Sequence, residues 1–163
     1  MTTYKERQIV KERIQILIED LRNSETTRKQ NFSSLAEQKG GKIVTYCALG
    51  ALGCEKNVIK VVESEFGWKV EHPTEEMILQ LYGISPKLKH KVVVSYYYNN
   101  GQKTKGIRHI TQTSLSSLII NLNDSGHWTF GQIADYLREL MYADVIRPCS
   151  KSETRQAEKY LEK

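Results

Sequence analysis

Cys47 opens an apolar run of small residues, Cys47-Ala48-Leu49-Gly50-Ala51-Leu52, and far downstream Leu122-Asn123-Asp124 is followed by His127. A cysteine at a helix N-terminus has its thiol acidified by the helix dipole and by unpaired N–H groups, which is one way to arm a nucleophile. His127 then stands as a candidate general base, and Asn123 or Asp124 as the group that orients its imidazole. The order cysteine, Asn/Asp, histidine differs from that of papain-like enzymes. The same residues also have simpler roles. Free cysteine is among the most buried residue types, Asn and Asp leave helices readily through Asx turns, and a histidine beside Trp128 suits a loop. The cysteine-dependent hydrolase or transferase is therefore the alternative, and a buried Cys47 the main reading.

A second set of residues points to binding. The chain carries a formal net charge of +5, and that charge is unevenly spread. Between Lys87 and Arg108 lie six Lys/Arg and no Asp or Glu, with His90 and His109 alongside, whereas Val44 to Pro86 holds six Glu against three Lys. Lys87, Lys89, Lys91, Lys103, Lys105 and Arg108 are interleaved with Tyr96, Tyr97 and Tyr98. Ammonium and guanidinium groups suit phosphates, and aromatic faces suit stacked bases. Edge strands also carry lysine simply to block aggregation. Nucleic acid or an acidic protein surface are the candidate partners, with a homodimer through the same elements as a further candidate.

No metal site and no cofactor is expected. There is no C-x-x-C pair, no H-E-x-x-H and no phosphate-binding glycine loop, and no histidine stands at ligand spacing from a cysteine. Cys47 and Cys54 on one helix would be about 10 Å apart, too far for a disulfide or one shared ion. No apolar run is long enough for a membrane span, and charges recur through the first amphipathic segment, so a cytoplasmic protein with reduced thiols is expected.

The elements that must position these groups follow from periodicity. Val10, Ile14, Leu17 and Leu21 predict an amphipathic helix over about 4–22, with Asn23 to Gln30 as a polar breaker. Ser34-Leu35-Ala36-Glu37 fits a capping box and predicts a short helical turn stopped by Gly40-Gly41. Lys42 to Tyr46 reads as a strand feeding the Cys47 helix, within which Gly50 implies close packing by another element. Val58 to Val62 is helix or strand, and Pro73-Thr74-Glu75-Glu76 starts a helix that ends near Gly83. Alternation from Lys89 to Ile110 around Asn99-Asn100-Gly101 predicts a β-hairpin. Thr113 to Leu122 reads as a buried helix. Thr129 and Gln132 form a capping box for a helix reaching about Tyr142, with Trp128 and Ile133 as its hydrophobic staple. Ser150-Lys151-Ser152-Glu153 starts a polar helical tail.

Cys47 to Leu52, Leu122 to Asp124 and Thr129 to Leu137 together resemble a group of small uncharacterised proteins common in actinobacteria and their phages. The chain departs from that group in its basic hairpin and in lacking a tryptophan before Asn123-Asp124. The resemblance implies a viral or mobile-element setting and brings no assigned activity. The expectation is an α+β fold: a predominantly helical single domain over 1–148, a basic two-stranded β-hairpin at about 89–110, and a polar helical tail over 149–163. Its expected function is non-catalytic binding through the hairpin.

Overall fold

The computed structural model describes residues 3–99 and 102–163, and for 90–99 and 102–113 it describes the backbone only. Six helices and seven strands alternate along these residues, with helix predominating, so the fold is α+β. Helix α1 (Tyr4–Thr27) is capped by Thr3, whose side chain accepts from the Glu6 N–H, and it buries Val10, Ile14, Leu17, Ile18 and Leu21. It runs past the polar breaker expected at Asn23. Ser24 continues the buried stripe at helical spacing, and the Thr26 and Thr27 hydroxyls donate back to the Asn23 carbonyl at 3.0 and 2.9 Å. These residues follow the helix here because their hydroxyls find partners within it.

The helical turn expected at Ser34–Glu37 is not formed. Ala36–Lys39 is instead strand β1, paired antiparallel with β2 (Lys42–Tyr46) across Gly40 and Gly41 at φ +62° and +85°. The Ser33 and Ser34 N–H groups donate to Asn31 Oδ1, and both hydroxyls donate to Glu37, so the capping-box residues serve a loop. One isolated helical turn is too costly to nucleate when a β-branched partner strand lies adjacent. The ambiguous stretch after Val58 resolves as β3 (Lys60–Ser64), paired with β4 (Gly67–Glu71).

Helix α2 (Ala48–Glu55) is the centre of the core, with Ala48 to Gly53 all buried. Around it pack α1, α3 (Glu75–Leu81) and α4 (Leu115–Asp124), while α5 (Phe130–Tyr142) lies along α1. The close approach expected at Gly50 is present: a Cβ placed there would lie 1.6 Å from the Leu35 carbonyl oxygen. The α5 capping box forms as expected, with Gln132 N–H to Thr129 Oγ1 at 3.2 Å and the reciprocal bond at 2.8 Å.

Strands β5 (Ile84–Asn99) and β6 (Gln102–Ser114) make the long hairpin, which is longer at its base than the expected 89–110. A third strand, β7 (Ile146–Pro148), pairs with Ile84 and Leu88 of β5, giving the order β6-β5-β7. Pro148 sits on the outer strand, where a missing N–H costs no ladder bond. Helix α6 (Lys151–Leu161) rests on the base of this sheet and on α3, through Ser85 Oγ to Glu153 Oε2 at 2.9 Å and Gln80 Nε2 to Gln156 Oε1 at 3.1 Å. Among the described residues no helix is long and apolar enough to cross a membrane.

Candidate functional site

The two motifs that suggest thiol chemistry do meet in space. The Ala48 N–H, first in α2, donates to Asn123 Oδ1 at 3.0 Å, although 75 positions separate the two residues. Asn123 is fully buried at the end of α4. Its Oδ1 also accepts from Gln30 Nε2 at 2.7 Å, and its Nδ2 donates to the Asn31 carbonyl at 2.9 Å and to Asp124 Oδ1 at 2.8 Å. A carboxamide offers two acceptor sites and two donors, and all four are used. Gln30 extends the same network by donating to the Trp128 carbonyl at 2.7 Å. Asn123 thus ties α2, the strand-entry segment at Gln30-Asn31 and the α4–α5 turn together, and nothing is left over to orient an imidazole.

Cys47 is the N-cap of α2, and its Sγ accepts from the Gly50 N–H at 3.4 Å. The residue is only 5 % exposed. Burial pushes the thiol up to about 11, outweighing the Gly50 and Leu49 N–H groups that pull it down. This is the opposite direction from an armed nucleophile, because taking a thiolate out of water costs more than the helix end returns. His127 sits elsewhere. It adopts φ +54° and stacks its exposed ring on Phe32, with centroids 4.4 Å apart and planes 3° from parallel. Among the described residues no hydrogen bond joins His127 to Cys47, Asn123 or Asp124. The structure therefore brings together Cys47, Asn123 and Asp124 and leaves His127 out. The residues that the sequence did not single out, Gln30 and Asn31, are the ones that complete the network; their polar, breaker-like context gave no sign of burial.

The basic residues divide into two groups. At the base of the hairpin Lys89 is half-buried, with Nζ 3.4 Å from Asp144 Oδ2, and Lys87 is exposed beside Glu153. Burial pushes the Glu153 carboxyl up, but the Ser150 N–H, the Ser85 and Ser150 hydroxyls and the Lys87 charge outweigh it and hold it below the usual range. Both base lysines thus have acidic neighbours within the fold. Lys91, Tyr96, Tyr97, Tyr98, Lys103, Lys105 and Arg108 lie where side chains are outside the described residues. Their backbone register is described: Tyr96, Tyr97 and Tyr98 stand opposite Lys105, Thr104 and Lys103. Cross-strand neighbours share a face, so each tyrosine–lysine pair belongs to one side of the ribbon. Among the described residues β7 pairs with β5 at Ile84 and Leu88, so this register belongs to a two-stranded stretch.

Among the described residues no cluster of three or more His, Cys, Asp or Glu could hold a metal ion. No protein family model, no curated protein and no solved structure matches the chain.

Proposed function

We propose that this protein is a non-catalytic binding module whose contact surface is the β5–β6 ribbon, and that its partner is a nucleic acid read mainly through phosphates. The observation that carries this reading is the register of the ribbon beyond Leu88. There a two-stranded antiparallel arm, with no third strand paired to it among the described residues, sets Tyr96 opposite Lys105 and Tyr98 opposite Lys103. No Asp or Glu occurs between Lys87 and Arg108. A ribbon of this kind supplies ammonium groups for phosphates and rings for bases along one face, and a two-stranded ribbon is narrow enough for a major groove. The state of Cys47, buried and capping its own helix, speaks against a reaction through that thiol.

The test is fluorescence anisotropy with a short single-stranded oligonucleotide over a range of salt, using the native chain and a Lys91→Glu, Lys103→Glu, Lys105→Glu, Arg108→Glu variant. Affinity of the native chain should fall steeply with salt, and the variant's log–log salt slope should be shallower by about 0.7 for each phosphate it no longer neutralises. Binding that is insensitive to salt, or equal in the two proteins, would reject nucleic acid as the partner. It would favour instead a protein partner.

A further inference from the structure

A cleft of about 700 Å³ opens where the turn after α2, the β3–β4 hairpin and the last turn of α6 meet. Four lysines line it, Lys56, Lys60, Lys69 and Lys163, against one acidic side chain among the described residues, Glu71. Register explains why two of these lysines share a face. Lys60 stands opposite Glu71 and Val62 opposite Lys69, while Glu63 belongs to the alternate set that faces the other way. Among the described residues none of the four is in an ion pair, although Arg22, Arg28 and Lys89 each are. Four lysines around one cleft outnumber its one acidic side chain, Glu71, and an anion relieves the excess of like charge.

The remaining walls suit an organic ligand. His72 has Nδ1 2.8 Å from the Pro73 carbonyl; a carbonyl only accepts, so Nδ1 carries the hydrogen and Nε2 is the nitrogen left for a ligand. Tyr160 is half-buried and Val58 is buried, and both line the same space. The volume lies within the range of small-molecule sites. Residues at the C-terminal ends of α2 and α6 border the cleft, and the partial negative charge of those ends offsets Lys56 and Lys163. That effect dies away within the last helical turn, so it does not reach Lys60, which has Glu71 across the ladder, or Lys69. Lys56 has a second contact, its Nζ lying 4.3 Å from the centroid of the Tyr82 ring. We propose that this cleft binds a phosphate-bearing small molecule of nucleotide size, with phosphates at Lys60 and Lys69 and the organic part against Tyr160 and Val58. The site is separate from the ribbon and does not depend on the ribbon's function.

Titration calorimetry with ATP in the presence of a chelator, on the full chain at low salt, tests this. Saturable binding is expected, weakened at least about tenfold in a Lys60→Glu, Lys69→Glu variant and retained in the four-residue ribbon variant. Both positions are exposed on a hairpin. A Lys60→Gln, Lys69→Gln variant, which adds no acid beside Glu71, should show a smaller loss in the same direction. Tripolyphosphate is the comparison ligand, and Tyr160→Ala should weaken ATP more than tripolyphosphate. The proposal is overturned if the native chain shows no saturable binding, or if cleft and ribbon variants lose affinity equally. Equal affinity for the two ligands, with no effect of Tyr160→Ala, would overturn the organic part of the assignment.

Discussion

Single atoms decide the role of α2. A methyl group at residue 50 would collide with the Leu35 carbonyl oxygen, which also accepts the Cys47 N–H at 3.1 Å and so has no room to retreat. At Gly53 the nearest atoms belong to the flexible end of Ile59, 2.7 Å away. Helix propensity alone would favour alanine at both positions by about 1 kcal/mol. Gly50→Ala should nevertheless destabilise by about 2–3 kcal/mol or more, and clearly more than Gly53→Ala, as read from urea midpoints. Equal midpoints would show that Leu35 does not press on the helix. The thiol makes a second prediction at this scale. Because Cys47 is buried with its thiol pushed up to about 11, native-state alkylation near neutral pH should be slow and limited by unfolding. Burial pushes the Cys54 thiol up as well and Cys149 to about 11, so exposure alone separates the three, and peptide mapping should find the half-buried Cys54 and Cys149 labelled first. Rapid labelling of Cys47 that is abolished by His127→Ala would restore the thiol enzyme.

Between elements, the most exposed dependence is that of α6 on the sheet base. The helix buries only Glu153 and Ala157, so its docking relies on polar contacts, chiefly Glu153 with Ser85 and with its own capping box. The Glu153 carboxyl holds its proton less tightly in the folded chain than in the unfolded one. Its contribution is therefore complete above the ordinary glutamate value of about 4.3 and disappears as pH falls through the lower folded value. Hydrogen exchange should show α6 losing protection on acidification before α1 or α5, and Glu153→Gln should flatten that dependence. An α6 whose protection follows the core at every pH would contradict this. The mistaken helical turn at Ser34–Glu37 belongs to this scale too. Its local signal was genuine, yet Asn31 Oδ1 took the Ser33 and Ser34 N–H groups that a helix would have used, and β2 offered a full strand partner. Local patterning cannot register a competitor that arrives from outside its window.

Across the whole molecule, the two basic surfaces should act independently. The ribbon draws its charge from contiguous sequence, whereas the cleft gathers Lys56, Lys60 and Lys69 with Lys163 from the end of α6. Charge reversal at Lys60 and Lys69 should leave oligonucleotide affinity within about twofold of native, well under the tenfold that 1.4 kcal/mol represents; a larger loss in the anisotropy assay would merge the two surfaces into one. Most element types are legible in the linear chain. Helical periodicity identifies α1 and α5, the acidic first turn after Pro73 identifies α3, and alternation around Asn99-Asn100-Gly101 identifies the hairpin, because each signal is written within a few turns of chain. Gly50 likewise implies that something must press on its helix. What presses there emerges only on folding, as do the addition of β7 to β5, the continuation of α1 through Ser24, and the capping of α2 by Asn123 from 75 positions away. The cleft is hidden for the same reason: Val44 to Pro86 is net acidic as sequence, and only strand alternation and the return of α6 turn its lysines to one side. Contacts between distant residues depend on how faces pack, and packing is a property of the folded whole.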